Sequence, residues 1–194
     1  ADSDGDGYGD PAVSFVGCSA PSGYVSDNSD CNDSDPTVNP NPDCSTTTRT
    51  WTGHISTDWN EACNWSPNCV PTSSNEVIIS NGDEVTISSG IVDLKRITLT
   101  GGSNLVVGND AVLNISTNSG HGLYADCSTC LLTNNGEINI TGGSRGLVSD
   151  HEIINNVGAT INVTNNNNSC ISLWGHNGTS SNYGTINCYG TATT

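Results

Sequence analysis

The first residues of the chain have the types and the spacing of a calcium-binding loop. Asp2, Asp4 and Asp6 stand at alternate positions, and Gly7 follows them in the opening ADSDGDGYGD. Calcium loops carry oxygen ligands at their first, third and fifth positions and a glycine at the sixth, where the chain turns sharply. The backbone carbonyl of Tyr8 would supply a further ligand. The opening therefore predicts a site for Ca²⁺.

A complete EF-hand is excluded, because the twelfth position of such a loop is a glutamate and here it is Val13. The remaining ligands must come from a second acidic run, DNSDCNDSD. The full set of candidate ligands is Asp2, Asp4, Asp6, Tyr8, Asp10, Asp27, Asp30, Asp33 and Asp35. Residues 1–44 hold nine carboxylates and no Lys or Arg, so we expect this stretch not to fold without cations. The alternative is a solvated acidic tail that binds no ion.

Residues 2 to about 44 resemble the metal-binding motif of secreted bacterial proteins and, more loosely, the thrombospondin type 3 calcium repeats. The matching stretches are DSDGDGYGDP, then Cys18, then PSGYVSDNSDCNDSDPTVNP. The resemblance implies binding of a divalent metal, calcium above all. The chain departs from the motif after Cys44, where a further acidic half with a cysteine would be expected, and this leaves the partner of Cys44 open.

Residues 49–80 concentrate three of the four tryptophans, Trp51, Trp59 and Trp65, in RTWTGHISTDWNEACNWSPNCVPTSSNEVIIS. The stretch looks like the opening segment of large secreted β-solenoid proteins of Bacteroidota. A solenoid needs an end cap over its first rung, and aromatic bulk suits that purpose. We therefore expect the tryptophans to form a cap. The alternative is an exposed aromatic platform that binds carbohydrate.

The rest of the chain repeats itself with a period of about 24 residues. The segments NGDEVTI, NDAVLNI, NNGEINI, VGATINV and NYGTINC end at Ile87, Ile115, Ile140, Val163 and Cys188. A second register agrees, because Gly122-Leu123, Gly146-Leu147 and Cys170-Ile171 recur at the same interval. The pattern predicts an all-β fold, a right-handed parallel β-helix with an irregular N-terminal calcium-binding segment. We divide the chain into an acidic segment (1–48), a Trp-rich cap (49–80) and a β-solenoid (81–194).

Apolar and polar residues alternate within each repeat, which indicates strands with one buried face. We expect Ile138 and Ile161 in the core of adjacent rungs. The same alternation predicts an amide ladder on the outer face, made of Asn114, Asn139, Asn162 and Asn187. Three of these asparagines also fit the N-glycosylation pattern, which we interpret as coincidence. A β-sandwich is the competing fold, but sandwich strands do not repeat in register.

Two stacks of acidic residues are secondary candidates for cation binding. Asp126 and Asp150 are one period apart, and Asp83 aligns near Asp110. Carboxylates at rung spacing repel each other unless they share a cation or point into solvent. A metal site from Cys127, Cys130, His151 and His176 is a further alternative, but a local disulfide between the two cysteines is favoured.

Nine cysteines indicate an oxidising compartment and hence a secreted protein, found outside the cell or on its surface. The expected disulfides are Cys18–Cys31, Cys63–Cys69, Cys127–Cys130 and Cys170–Cys188, which leaves Cys44 over. Sequence alone does not fix this connectivity.

The charge balance excludes several classes of function. Four Lys and Arg stand against 20 Asp and Glu, a net charge of −16, so nucleic acid and anionic membranes are poor partners. No apolar run reaches the roughly 18 residues of a membrane helix. A polyuronate lyase needs basic groups, and the solenoid offers only Lys95, Arg96 and Arg145. A glycoside hydrolase needs a concentrated pair of carboxylates, which the repeats lack. We therefore expect a protein that is not an enzyme.

The function expected from these features is that of an extracellular, calcium-stabilised structural protein. The C-terminal stretch NYGTINCYGTATT has no charged or helical cap, and open solenoid ends can pair with another copy. We therefore expect self-association, a head-to-tail homopolymer that builds a fibre or surface appendage. The alternative is a carbohydrate-binding or adhesin module of a larger secreted protein, which would bind surface glycans.

Overall fold

The short alternating segments of the repeat form parallel strands that stack into a β-solenoid. The computed structural model describes residues 1–10, 12–39, 44–165, 169–174 and 179–190. In that part of the chain the structure is all-β, with about six turns of about 24 residues each. The one helical element described is a 3-10 turn, Ala62–Asn64. The fold class predicted from the sequence is therefore confirmed.

Three faces make up each rung, and the first face is a seven-stranded sheet. Its strands, in chain order, are β1 (Thr48–Trp51), β2 (Trp65–Ser66), β3 (Glu76–Ile79), β5 (Arg96–Leu99), β7 (His121–Ala125), β10 (Arg145–Ser149) and β13 (Ile171–Leu173). All neighbours in face 1 pair in parallel except β1 and β2, which are antiparallel.

The second and third faces belong to one continuous sheet, because two long strands bend from one face into the next. These are β4 (Glu84–Leu94) and β6 (Asn104–Thr117). Face 2 continues with β8 (Leu131–Asn134), β11 (Glu152–Asn155) and β14 (Ser181–Asn182). Face 3 continues with β9 (Glu137–Gly142), β12 (Thr160–Asn165) and β15 (Thr185–Gly190).

The core consists of the inward-pointing residues of the three faces, stacked from rung to rung. On face 3, Leu113, Ile138 and Ile161 lie directly above one another in register. Each is fully buried, as expected of the apolar positions in an alternating strand. The prediction that Ile138 and Ile161 occupy the core of adjacent rungs is confirmed. The second register is confirmed as well, because Leu123, Leu147 and Ile171 pair across face 1.

The first of the five aligned segments lies on a different face from the others. Ile87 pairs with Val107 on face 2, whereas the residue beneath Ile115 on face 3 is Leu94. The predicted equivalence of Ile87 and Ile115 is therefore wrong. Both faces carry the same apolar alternation, so the pattern of a strand does not identify its face.

The asparagine ladder runs along the outside of face 3 as predicted. Asn139 donates from Nδ2 to Asn114 Oδ1 at 2.9 Å, and Asn162 donates to Asn139 at 2.8 Å. Asn187 continues the ladder with a 2.8 Å hydrogen bond to Asn162. Each amide therefore joins two rungs.

A second asparagine ladder, not predicted, lies inside the solenoid between faces 2 and 3. Asn134 and Asn155 are fully buried, and Asn134 donates to Asn155 Oδ1 at 2.9 Å. Asn155 in turn donates to Asn182 Oδ1 at 2.8 Å and to the Thr185 carbonyl at 3.2 Å. These bonds satisfy buried amides that would otherwise destabilise the core.

The three tryptophans of residues 49–80 cover the first rung. Trp65 packs edge-on against Trp51 and Trp59, with ring centroids 4.8 and 4.7 Å apart. Its Nε1 donates to the Trp59 carbonyl at 2.8 Å, and all three side chains are buried. The burial of all three rings agrees with the cap interpretation. A carbohydrate platform at these rings is wrong, because the rings are not accessible.

The structure contains four disulfides: Cys31–Cys63, Cys44–Cys69, Cys127–Cys130 and Cys170–Cys188. The last two were predicted correctly. The expected pairs Cys18–Cys31 and Cys63–Cys69 are wrong. The acidic segment folds against the cap, and its two bonded cysteines, Cys31 and Cys44, pair with cysteines of the cap. The free thiol among the described residues is Cys18, which is exposed, rather than Cys44. Four disulfides indicate an oxidising, extracellular environment.

Two further findings concern membrane-spanning helices and the alternative metal site at Cys127 and Cys130. Among the described residues, no helix is long and apolar enough to cross a membrane. The sulfurs of Cys127 and Cys130 are bonded to each other, so the proposed metal site with His151 lacks its thiolates. His176, the remaining member of that set, lies outside the described residues.

Candidate metal centre

Backbone hydrogen bonds bring the two acidic runs of the N-terminal segment side by side. The Gly9 amide donates to the Asp27 carbonyl at 2.9 Å, and the Asp30 amide donates to the Gly9 carbonyl at 3.1 Å. A third bond, 2.8 Å long, joins the Asp2 amide to the Gly23 carbonyl. The segment therefore has a defined backbone although it contributes little to the apolar core.

Three carboxylates converge at the start of the chain. One oxygen from each of Asp2, Asp4 and Asp6 lies within 4.8 Å of the others. The turn that gathers them needs Gly5 and Gly7, which have φ angles of 82° and 95°. Such angles are costly for any residue with a Cβ. The structure thus brings together the three aspartates that the calcium-loop spacing identified.

Asp30 adds a fourth carboxylate from the second acidic run, and it is buried at 4% exposure. Its Oδ2 is shielded from solvent and has no hydrogen-bond partner among the described residues, as is also true of Oδ2 in Asp4 and Asp6. The pKa of Asp30 is raised, first by burial and then by the negative charges of Asp6, Asp4 and Asp33. A cation at this point would reverse the sign of that electrostatic effect.

Asp33 and Asp10 lie at the rim of this group. Asp33 accepts hydrogen bonds from the Ser3 amide at 2.8 Å and the Ser3 hydroxyl at 2.5 Å, and these bonds lower its pKa. Asp10 accepts from the Ala12 amide at 2.7 Å. Together with Asp30, both line an open surface cavity of about 360 Å³, so they stand within reach of the same region.

The remaining candidate ligands serve local turns in the structure. Asp27 accepts from the amide and the hydroxyl of Ser29, and Asp35 accepts from the same groups of Thr37. The Tyr8 amide donates to Asp6 Oδ1 at 2.9 Å. Asp27 and Asp35 lie outside the group of three converging carboxylates. Asp43, the last carboxylate of this stretch, is outside the described residues.

The chemistry of the gathered atoms suits a hard cation. Every candidate ligand in the group is a carboxylate oxygen, which Ca²⁺ and Mg²⁺ prefer, whereas Zn²⁺ favours imidazole and thiolate. The nearby Cys31 is bonded to Cys63.

The two secondary acidic stacks have different outcomes. Asp126 and Asp150 follow the paired residues Ala125 and Ser149, so they occupy equivalent positions in neighbouring rungs. Asp110 pairs with Ser89, while the Asp83 carbonyl accepts from the Asn104 amide. The expected approach of Asp83 to Asp110 is therefore wrong. As with Ile87, the segment that contains Asp83 was aligned with strands of a different face.

One cluster of side chains was not predicted from the sequence. His121, Tyr124, Arg145 and Trp174 come together on the outside of face 1. A signal was present, since Arg145 pairs with His121 one period earlier. Trp174 was overlooked because no other tryptophan shares its repeat position.

The fold, the tryptophan cap and the disulfides define the chain as a disulfide-bonded, capped β-solenoid. Residues 50–173 match the family described as Domain of unknown function (DUF8693). The match covers more than half of the chain, which therefore belongs to this family. It runs from β1 to the end of β13, so the acidic segment lies outside it. No curated protein and no solved structure shows a significant match.

Proposed function

We propose that the chain is a secreted structural module that calcium stabilises, with no catalytic activity of its own. Ca²⁺ binds between Asp2, Asp4, Asp6 and Asp30 and orders the acidic segment against the capped end of the solenoid. The observation that carries this proposal is the buried Oδ2 of Asp30, which has no hydrogen-bond partner among the described residues, on a carboxyl group whose pKa is raised by burial and then by the charges of Asp6 and Asp4. A buried carboxylate among others of the same sign is unfavourable unless a cation neutralises it.

Covalent and polar contacts make the acidic segment part of the capped end. Cys31 is bonded to Cys63, which lies in the 3-10 turn of the cap, and Asn68 Nδ2 donates to the Asn39 carbonyl at 3.1 Å. Ile55 from the cap lines the same cavity as Asp30 and Asp33. Ordering of the aspartates by a cation is thus coupled to the packing of the cap.

Calorimetric titration of the purified chain with CaCl₂ tests the proposal. Replacement of Asp30 by Asn keeps the shape but removes the buried charge, so calcium affinity should fall at least about tenfold. The stability of the same variant in chelator should not fall, because a repulsive charge is gone. Asp110→Asn removes one charge from the solenoid and is the matched control. No heat of calcium binding in the unaltered chain, or equal affinity in Asp30→Asn, contradicts the proposal.

Self-association is a second proposal, which the C-terminal rung favours. Leu173 and Ile186 are exposed there at 51% and 37%. They border an apolar cavity of about 160 Å³ above the buried Ile153 and Ile161. Exposed apolar side chains beside unpaired strand edges can accept another strand layer, and we propose that the layer is the capped end of a second copy. Unlike ends in contact give a head-to-tail filament.

Electron microscopy and sedimentation velocity, in millimolar CaCl₂ and in chelator, test the filament. We expect polymers with calcium and dispersed protein without it, since the cation reduces repulsion between chains of charge −16. Leu173→Lys should block growth, while Ile91→Lys, on an exposed site of face 3, should not. Monomers under all conditions rule out the filament but leave the calcium proposal standing.

A further inference from the structure

Trp174 differs from every other tryptophan in the chain. The three cap tryptophans are buried, whereas 48% of Trp174 is exposed. Its amide donates to the Ser149 carbonyl at 2.9 Å, which fixes the residue at the end of β13. Its ring lies over the outside of face 1, where the Arg145 guanidinium carbon is 5.0 Å from the ring centroid. A large aromatic ring is therefore held in place while half of its surface stays open.

Two more rings, on β7 two rungs before Trp174, complete an aromatic surface. The His121 imidazole is 6.5 Å from the Trp174 ring and 5.2 Å from the Tyr124 ring, centroid to centroid. Both contacts are edge-to-face in type, which favours a fixed arrangement. The pKa of His121 is lowered by burial and then by Arg145 and Arg96, which favours the neutral imidazole.

The basic residues of the chain are concentrated on the same face. Of the four, Arg49 is buried and donates to the Cys44 carbonyl at 2.7 Å. Lys95 and Arg96 both approach Glu76, at 3.0 and 3.9 Å. Arg145 has no salt bridge within the part of the chain that the structure describes, and its side chain is only partly covered. Its guanidinium therefore retains donors for a ligand.

Carboxylates stand at the other end of the same strands. Burial raises the pKa of the Tyr124 hydroxyl, and the nearby carboxylates of Asp126 and Asp150 raise it further. Asp126 and Asp150 occupy adjacent rungs. The face thus presents, in order, cationic donors, an aromatic surface and anionic acceptors.

We propose that this face binds a neutral saccharide at a patch made of His121, Tyr124, Arg145 and Trp174, with Asp126 and Asp150 at its rim. The apolar C–H face of a pyranose ring packs on the open side of Trp174, because an indole ring offers a large and rigid apolar surface. Arg145 donates to ring hydroxyls, and the two aspartates accept from others. A rigid aromatic surface with a few placed polar groups is the usual composition of a small-ligand site.

Charge decides between a neutral and an acidic saccharide. The single free cation of the patch is offset by the two rim carboxylates, and the chain as a whole carries −16. A polyanion is therefore repelled overall, even though charges beyond about 8 Å are screened at physiological ionic strength. A neutral ligand meets no such penalty. The site is independent of the proposed calcium site, which lies at the other end of the solenoid.

Affinity electrophoresis of the full chain in calcium, through gels that contain single polysaccharides, tests the proposal. The neutral probes are β-glucan, xylan, mannan and galactan, and the acidic probes are polygalacturonate and dextran sulfate. At least one neutral polysaccharide should retard the chain. Trp174→Ala and Arg145→Gln should each lower the affinity measured by that retardation at least about tenfold, because each removes a central contact with the ligand. Tyr183→Ala removes an exposed aromatic from the same rung on another face and is the matched control.

A second measurement keeps the test decisive if a variant folds poorly. In the unaltered chain, the imidazole NMR signals of His121 should shift on addition of the retarding polysaccharide's oligosaccharide, while those of His54, in the cap, should not. Retardation by acidic probes alone, unchanged retardation of both variants, or no retardation by any neutral probe overturns the proposal. So does a finding that Trp174→Ala changes only the sedimentation of the chain, which would assign the patch to contact between copies.

Discussion

Asn114 donates a hydrogen bond from its side-chain amide to a carboxylate oxygen of Asp93, at 2.9 Å. Asp93 lies below Asn114 in the rung order and therefore accepts the first bond of the outer ladder. Every later bond of the ladder points the same way, toward the capped end. The aspartate suits the base position because a carboxylate only accepts, and no further donor is needed there.

The two ladders should differ in what they contribute to stability. Asn155→Ala removes a buried amide and leaves Asn134 Nδ2 with one acceptor, the Thr160 carbonyl, instead of two, so we expect a loss of about 2 to 3 kcal/mol in the free energy of unfolding. Asn139→Ala, on the partly exposed outer ladder, should cost about 1 kcal/mol. Urea unfolding measures both. Asn104→Ala, an outward residue of β6 outside both ladders, is the control, and an equal cost for all three variants would contradict the role of burial.

Ile161→Asp should unfold the solenoid. The side chain is fully buried between Ile138 and Ile186, and an unpaired charge there costs more than about 4 kcal/mol. Thr164→Asp places the same charge on the exposed side of β12 and should leave the fold intact. Circular dichroism and urea titration distinguish the two. A folded Ile161→Asp protein would show that the rung register is wrong.

The His121 imidazole should titrate below the ordinary value of 6.5. Its folded-state pKa is depressed, so the unfolded chain binds more protons in the interval between the two values. Stability from this group is therefore present above the ordinary value and is lost as the pH falls through the folded-state pKa. Arg145→Gln removes one nearby positive charge and should raise the pKa. NMR titration checks both expectations, and an unchanged pKa in Arg145→Gln would contradict the proximity of the two groups.

Tryptophan fluorescence should separate the cap from the patch. Trp51, Trp59 and Trp65 are buried and Trp174 is half exposed, so acrylamide should quench only one component of the emission. In Trp174→Phe the quenchable component should disappear and the remaining emission should shift to the blue. Trp65→Phe is the comparison, because it removes a buried ring and should leave the quenchable component. Strong quenching in Trp174→Phe would mean that the cap is open in solution.

The parts of the fold that follow from local alternation were predictable. Ile138, Ile161 and the outer asparagines recur with one period, and a strand places such residues on fixed sides. The face occupied by the segment around Ile87 was not predictable, because strands of faces 2 and 3 share one pattern. Asn134 and Asn155 stand near turn sequences, where asparagine is common for local reasons, so their buried ladder left no distinct signal.

The candidate sites show a similar division. The spacing of Asp2, Asp4 and Asp6 predicts their convergence, since a single turn gathers alternate residues. The burial of Asp30 depends on a backbone contact with Gly9, which no local pattern encodes. The pairing of Cys31 with Cys63 likewise depends on how the acidic segment packs against the cap. Closeness in sequence therefore did not predict the partners of these cysteines.

If the proposed site binds calcium, the Cys31–Cys63 bond couples calcium affinity to the redox state of the chain. Asp30 is the neighbour of Cys31, so the bond anchors the buried carboxylate to the cap at a high effective concentration, in the millimolar range or above. If the bond is reduced, the segment must find its place against the cap anew, and the proposed site loses affinity for calcium. Since linkage is reciprocal, bound calcium makes the bond harder to reduce by the same free energy. In a calcium-rich, oxidising medium, the bound cation and the disulfide would therefore both stabilise the ordered segment. Either one alone would stabilise it less.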